Sequence, residues 1–410
     1  MIEGSGDRRH LKLIADICVA LISIGSILSY TSHSKVGQLL RLVGQFGIIS
    51  FYIWRVNFNK YRFIYPIVFT FVMYPLLVAS LGIYNNLNQT LAYVFFFLWF
   101  ICSLICISEN YSDDLSGLIK IFYNTIVATL GFLFIFYRGI SLNITEIVQS
   151  IISNNRYGGY ISTARVSMGF QNVNQLGLFA VVLTVFSICY LVKRKNIIYN
   201  IFILCISVIL ILNSGSRTPI LTLVVFFIIY FVYHLKSVFL QILGKTIIII
   251  SYILIYFLFI YLIYFSNTDS SFFQLIDGLF SFRISFSQEA VALTSKLGNQ
   301  IVGIGPMSSS FIQNMYTGGN YAIDSSVAYY ILTLGWVGSF GLNWCILFLM
   351  FKLNKNTDSF VISIFGFFVA YAFFENVLFT PNSGLGIIIL SIVFTSISQK
   401  SNNIKEYICT

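Results

Sequence analysis

Residues 266–324 read SNTDSSFFQLIDGLFSFRISFSQEAVALTSKLGNQIVGIGPMSSSFIQNMYTGGNYAID, the longest run in the chain without an apolar segment able to cross a bilayer. The run has a periodicity of its own. Ser271-Phe272-Phe273-Gln274 has the pattern of a capping box, and Phe272, Phe273, Ile276, Leu279 and Phe280 recur behind it at helical spacing. This predicts a helix lying on a membrane surface. After Arg283, the apolar positions Phe286, Ala290, Leu293 and Leu297 predict a second helix, and Gly298-Asn299-Gln300-Ile301-Val302-Gly303-Ile304-Gly305-Pro306 predicts turns. Asn314 to Asp324 is rich in Gly, Asn and Tyr. A connection this long, with helices of its own, reads as a functional element.

The sequence on either side is membrane. With 58% hydrophobic residues, 9% charged residues and a mean hydropathy of +0.86, the composition excludes a soluble domain. No Pro-rich, Ser-rich or charged linker divides the chain, so residues 1–410 form one transmembrane domain, and the lack of an internal repeat weighs against an inverted-repeat transporter. Apolar runs of about twenty residues, the length that spans the hydrocarbon layer, fall near 11–30, 38–54, 63–83, 91–108, 118–137, 173–192, 197–213, 219–235, 245–265, 326–351, 359–379 and 384–398. The expected fold is therefore an all-α polytopic membrane protein of about 12 transmembrane helices, the short last run being either a span or a re-entrant segment. Two sizeable loops, 138–172 and 266–325, share one face.

Charge orients these spans. With both termini placed in the cytoplasm, the inner side holds 16 of the 24 Lys and Arg residues, led by Lys193-Arg194-Lys195. The net charge of +10 thus reflects topology, and no nucleic-acid partner is needed to explain it. The outer side departs from the rule in kind. It carries Arg41, Arg138, Arg156, Arg165, Arg217 and Arg283 but only Lys35 and Lys296. The planar guanidinium fork suits bidentate phosphate binding, so these arginines point to an anionic ligand such as a pyrophosphate; the alternative, strongest for Arg41 and Arg138, is that they reach up to lipid phosphates. No cysteine falls in the outer loops, which excludes an exported disulfide framework.

In the first loop, Asn143-Ile144-Thr145-Glu146 ahead of Ile147, Val148, Ile151 and Ile152 predicts a short interfacial helix. Arg156, Tyr160 and Arg165, interleaved with glycines, can hold sugar by stacking and phosphate by charge; a lipid-touching loop is the alternative. Beyond them, Gly169-Phe170-Gln171-Asn172-Val173-Asn174-Gln175-Leu176-Gly177 carries amides into hydrocarbon depth, where they require partners. Asn213-Ser214-Gly215-Ser216-Arg217-Thr218-Pro219 is a tight turn between two spans, with Pro219 suited to a first helical turn. Two carboxylates lie within spans. Asp16 reaches interfacial water, and Glu375, in Ala372-Phe373-Phe374-Glu375-Asn376 near the end of the eleventh span, needs a partner or an aqueous cavity. Arg41 lies at comparable depth and is its expected partner.

The amide motif 169–177, Ser216-Arg217-Thr218, Arg283 with its following helix and Gly303-Ile304-Gly305, and Asp324-Ser325 ahead of Gly335-Trp336-Val337-Gly338 together resemble the O-antigen and capsular polysaccharide polymerases of the Wzy type and the related O-antigen ligases. The resemblance covers roughly residues 165–345. It implies a GT-C-like glycosyltransferase, multi-pass in the bacterial cytoplasmic membrane, that joins undecaprenyl-diphosphate-linked oligosaccharide repeat units at the outer face without nucleotide sugar, cofactor or metal. The lipid-linked oligosaccharide, the bilayer and a chain-length regulator protein are the partners it implies. Arg217 and Arg283 would hold and neutralise the leaving diphosphate. Asn172, Asn174, Ser216, Glu289 and Glu375 join Arg156, Tyr160 and Arg165 as candidate substrate contacts.

The ligases usually carry a histidine near the end of the large loop, where this chain has Asp324; its histidines are His10, His33 and His234. That departure favours polymerase over ligase and leaves the base open. Asp324 is the candidate and Glu289 the runner-up, since a carboxylate can take a proton from an acceptor hydroxyl; a helix cap for the tenth span is the other reading of Asp324. A lipid-linked oligosaccharide flippase is the rival class, disfavoured by the large loop and by arginines gathered at one face.

The orientation has a direct check. In a background without native cysteines, an impermeant thiol reagent added to intact cells is expected to label Ser309→Cys and to spare Asn196→Cys; the reverse pattern would invert the topology.

Overall fold

The computed structural model describes residues 5–84, 86–137, 167–268, 270–279, 283–296, 299–308, 311–312, 314, 325–356 and 359–399. Every apolar run of the sequence contains a helix. In chain order the helices are α1 (Ser5–Leu28), α2 (Ser34–Tyr52), α3 (Phe58–Ser80), α4 (Leu87–Asn110), α5 (Leu115–Tyr137), α6 (Val173–Val192), α7 (Ile197–Asn213), α8 (Arg217–Tyr233), α9 (Val238–Phe265), α10 (Ser271–Leu279), α11 (Arg283–Lys296), α12 (Ser326–Asn356), α13 (Ser359–Ala372) and α14 (Gly384–Ser398). In α3 a π-helical turn at Phe69–Met73 precedes Pro75, which lacks the N–H an α-helix interior would use.

Eight of these helices are long and apolar enough to cross a membrane, and the protein is membrane-embedded. Four shorter apolar helices, α7, α8, α13 and α14, have 17, 17, 14 and 15 residues. For the last two the packing gives a reason. Nearly every residue of α13 and α14 is buried among other helices, so protein rather than lipid surrounds them and hydrocarbon thickness does not set their length.

Polar contacts sort the connections into two ends. At one end Tyr30 and Ser32 bond the backbone of Gln171 and Gly169, Arg41 bonds Asn382, Tyr84 bonds Val302, Arg217 bonds Gly278, and Arg283 pairs with Glu375. This is the loop end. At the other end Lys12 pairs with Asp114 at 2.7 Å, Lys60 with Glu109 at 2.7 Å, and Tyr111 donates to Asp16. Burial pushes the Asp114 carboxyl up, but Lys12, the Gly117 N–H and Ser116 outweigh it and hold the group below the usual carboxylate range. Ser398 at the end of α14 bonds Ser108 at that same end, so α14 runs from the loop end of the bundle to the other end.

Glycine sets the closest helix contact. A Cβ on Gly25 of α1 would sit 2.4 Å from the Arg41 backbone N, and one on Gly44 of α2 would sit 2.6 Å from the Cys18 carbonyl oxygen. Small residues let the two backbones touch, as helix pairs in lipid require.

The turn-rich part of the large loop is built into the bundle. Helix α12 breaks at Gly335, whose φ of 65° and ψ of −159° belong to a region essentially confined to glycine. The break releases backbone groups that must be satisfied internally. Ile304 and Gly305 donate to the Leu332 and Thr333 carbonyls at 3.0 and 2.9 Å, and Trp336 donates to the Gln300 carbonyl at 3.0 Å. Gly303 and Gly335, quoted in separate motifs, therefore lie backbone on backbone.

Three expectations change at this level. The cap of α10 comes from Ser270, whose Oγ accepts from Phe273 N at 3.1 Å, one residue before the capping box in the sequence. The buried stripe of α11 is Ile284, Ser287, Val291 and Thr294. Phe286 and Leu293, the apolar positions that predict this helix, are only half-buried. Ser287 and Thr294 can take core positions because their hydroxyls bond the Arg283 and Val291 carbonyls at 2.7 and 2.6 Å. Helix α13 ends at Ala372, seven residues short of the apolar run, so Glu375 sits on an irregular connection rather than inside a span. The predicted helix after Asn143 lies outside the described residues.

Gly335→Ala tests the junction. Its Cβ would come 2.3 Å from the Ile301 carbonyl oxygen, whereas one on Gly131 of α5 meets nothing within 4 Å. Gly335→Ala is expected to destabilise the purified protein by about 2 kcal/mol or more, and Gly131→Ala to be neutral or slightly stabilising. Thermal unfolding midpoints decide it, and equal midpoints would dismiss the constraint.

Candidate functional site

Glu375 is the centre of the loop end. The residue is 4% exposed, and its Oε1 accepts from Arg283 Nη2 at 2.7 Å and from Asn174 Nδ2 at 3.1 Å. Gln175 Nε2 approaches Oε2 at 3.5 Å. Ser326 closes the arrangement from behind: its hydroxyl donates to the Glu375 carbonyl at 3.0 Å and accepts from the Val377 and Leu378 N–H groups at 3.0 and 3.1 Å. The Glu375 carboxylate thus gathers side chains from α6 and α11, while α12 holds its backbone. The close contact and the amides of Asn174 and Gln175 offset part of the cost of burying the pair.

The partner of Glu375 is Arg283 and not Arg41. Arg41 lies on α2 and spends its fork on Asn382, with Nη1 2.6 Å from the backbone oxygen and Nη2 3.4 Å from Oδ1. Equal depth in the membrane is a statement about one axis only, and the lateral packing of helices decides which charge meets which.

Arg283 is fixed from both sides. It opens α11, and the buried Asp277 of α10 caps that helix through Oδ1, which accepts from Ile284 N at 3.0 Å and Ser285 N at 3.2 Å. Asp277 had no signal in the sequence beyond being the single acid of α10, since its partner helix begins six residues later. Gln288 was likewise missed; its amide donates to the Leu262 and Ser266 carbonyls at 2.8 and 3.2 Å and moors α11 to the end of α9.

The remaining candidates divide. Asn172 caps α6, accepting from Asn174 N at 2.9 Å, so its structural use is plain while Asn174 reaches Glu375. Ser216 is buried at the start of α8, its N–H directed to Ser214 Oγ at 3.3 Å. Arg217 is half-buried and donates from Nη1 to the Gly278 carbonyl at 3.3 Å, next to the Asp277 that caps Arg283's helix. The two arginines are therefore connected through α10. Glu289 is exposed on α11, away from the face that carries Ile284, Ser287 and Val291. Arg156, Tyr160, Arg165 and Asp324 lie outside the described residues. The amide motif and the Arg217 turn also touch: a Cβ on Gly177 would meet Pro219 Cγ at 2.6 Å and Ser214 Oγ at 2.8 Å.

A scan against protein-family models and a search of curated proteins each found no match to this chain.

The Arg283–Glu375 pair gives a stability prediction. Removing one partner strands a buried charge, so Glu375→Leu and Arg283→Met are each expected to cost about 3–5 kcal/mol, and the double variant clearly less than their sum. Arg41→Met with Glu375→Leu should instead be additive. A double-mutant cycle on unfolding midpoints checks both, and additivity at the first pair would remove it as an interaction.

Proposed function

We propose that the protein is a polysaccharide polymerase, which transfers a growing glycan from its undecaprenyl diphosphate carrier to the next lipid-linked repeat unit at the outer face of a bacterial cytoplasmic membrane. The observation that carries the reading is the convergence at Glu375. Four separated sequence elements, Asn174-Gln175, Arg217, Arg283 and Ser326, are joined there by direct bonds or, for Arg217, through α10. On this reading twelve helices cross the membrane in a GT-C-like arrangement, with the loop end facing outward.

Roles follow from chemistry. The acceptor hydroxyl attacks the anomeric carbon of the donor sugar, the glycosidic C–O bond to the carrier breaks, and the diphosphate departs with the electron pair. Arg217 and Arg283 stabilise the charge that collects on the diphosphate. Glu375 positions the Arg283 fork, a change from its expected role as a substrate contact. Asp324 accepts the hydroxyl proton. Glu289, exposed on α11, loses ground as the alternative base.

The flippase reading draws less support. Broken helices in transporters line a substrate path, whereas the break at Gly335 is filled by the backbone of residues 300–305.

Cells lacking the protein should accumulate single lipid-linked repeat units on the outer leaflet. Units confined to the inner leaflet would indicate a flippase, and full-length polymer on lipid would indicate a ligase. In complemented cells at matched protein levels, Arg217→Ala and Arg283→Ala should each slow polymer formation on the order of a hundredfold, about 3 kcal/mol of transition-state stabilisation. Lys should rescue only partly, and the double variant should fall short of the summed losses. Near-normal polymer from either Ala variant would take that arginine out of the site.

A further inference from the structure

The connection that presents Glu375 also walls a cavity of about 460 Å³, within the usual range for small-molecule sites. Tyr30, Tyr93 and Phe96 supply aromatic surface, Gln89 and Asn382 supply amides, and no acidic or basic side chain lines it among the described residues. Its wall is held in shape. Phe379 adopts a left-handed φ of 52°, kept there by Tyr330, whose hydroxyl donates to the Phe379 carbonyl at 2.7 Å. Ser383 fixes the far edge by capping α14, accepting from Gly386 N at 3.0 Å. A wall fixed before binding does not have to be ordered by the ligand.

The hydrogen-bonding capacity of the wall is biased toward donors. Asn382 gives both its side-chain and its backbone oxygen to Arg41, which leaves the amide NH2 as the group it can offer. Tyr30 Oη accepts from Gly384 N at 3.3 Å and, as a phenol, carries an O–H of its own. Behind Asn382 stands Arg41 itself, 5% exposed, with Nε lacking a hydrogen-bond partner and no carboxylate in salt-bridge range among the described residues. A buried guanidinium without a counter-charge is costly. Glu375, the nearby acid, is already matched by Arg283. Among the described residues the excess charge beside the cavity is therefore positive.

We propose that this cavity is a subsite for a sugar ring carrying a carboxylate, one residue of the glycan being extended. The aromatic surface takes the apolar C–H face of the ring. The Asn382 amide and Tyr30 hydroxyl donate to its oxygens, and the carboxylate provides the counter-charge that Arg41 lacks. The identity of the glycan rests on the polymerase reading; the binding of such a ring does not.

Isothermal titration calorimetry on the purified protein in lipid nanodiscs, with methyl glucuronide, methyl glucoside and inorganic pyrophosphate as probes, tests it. The glucuronide should bind at least about tenfold tighter than the glucoside, as expected for one charge beside a low-dielectric wall. Ala92 is exposed in the cavity lining. Ala92→Trp should abolish binding of both glycosides and leave pyrophosphate binding intact. Asn382→Asp keeps the shape, gives Arg41 a carboxylate and should erase the preference for glucuronide. Absent glycoside binding, equal affinities in the wild type, unchanged binding in Ala92→Trp, or a preference retained in Asn382→Asp would each overturn the proposal. Loss of pyrophosphate binding in Ala92→Trp would also overturn it, by making the cavity a diphosphate site. If the glycoside pattern holds while cells lacking the protein still make polymer, the polymerase reading fails and the subsite stands; the converse result removes only the subsite.

Discussion

Taking the Glu375 carboxylate and the Arg283 guanidinium out of water costs several kcal/mol per ion, and attraction offsets that cost only where the contact is close and the other polar atoms are bonded. Here the ions meet at 2.7 Å, Asn174 and Gln175 bond the carboxylate, and Ser326 holds the Glu375 backbone. The requirement fixes more than two side chains. It sets the rotation of α11, because Arg283 must face inward, and with it the burial of Ile284 and Ser287. It also keeps residues 373–378 off the helix, since Ser326 takes the N–H groups of Val377 and Leu378. Replacing such a pair by matched apolar residues is often neutral for stability, so its retention is better explained by position than by energy.

A second constraint acts through the backbone. Inside a membrane protein an unbonded N–H or C=O has no water to turn to, so the break in α12 is possible only because residues 300–305 bond its exposed groups. The large loop is thereby tied to the bundle at both Gly335 and Glu375. Whatever α10 and α11 hold is referenced to the same rigid helices.

Much of this was legible in the sequence, and the parts that were not share a cause. Helices announce themselves through apolar runs of sufficient length, which is a local property, and both short helices of the loop followed from periodicity. Partner choice is not local. Arg41 and Glu375 share a depth, yet Glu375 meets Arg283, because depth can be counted along a chain while lateral position cannot. The buried face of α11 was not legible for a related reason: hydropathy alone places Ser287 and Thr294 outside, but each satisfies its hydroxyl on the turn before it and becomes buriable. The cap from Asp277 onto α11 crosses between two helices, so no fixed spacing reports it. The amide motif was read correctly as needing partners at depth; its partner was found only in three dimensions.

The pairing also changes what Arg283 can do for a departing diphosphate. A guanidinium already neutralised by a carboxylate attracts a resting anion less than a bare one would, which limits ground-state binding. Catalysis gains only from interactions that strengthen as the reaction proceeds. Charge accumulates on the diphosphate as the glycosidic bond breaks, and a fork held in one orientation needs no reorganisation to meet it. On the proposed reading, Glu375 therefore exchanges affinity for direction, and Arg217 is tied to the same cluster through the Gly278 carbonyl beside Asp277.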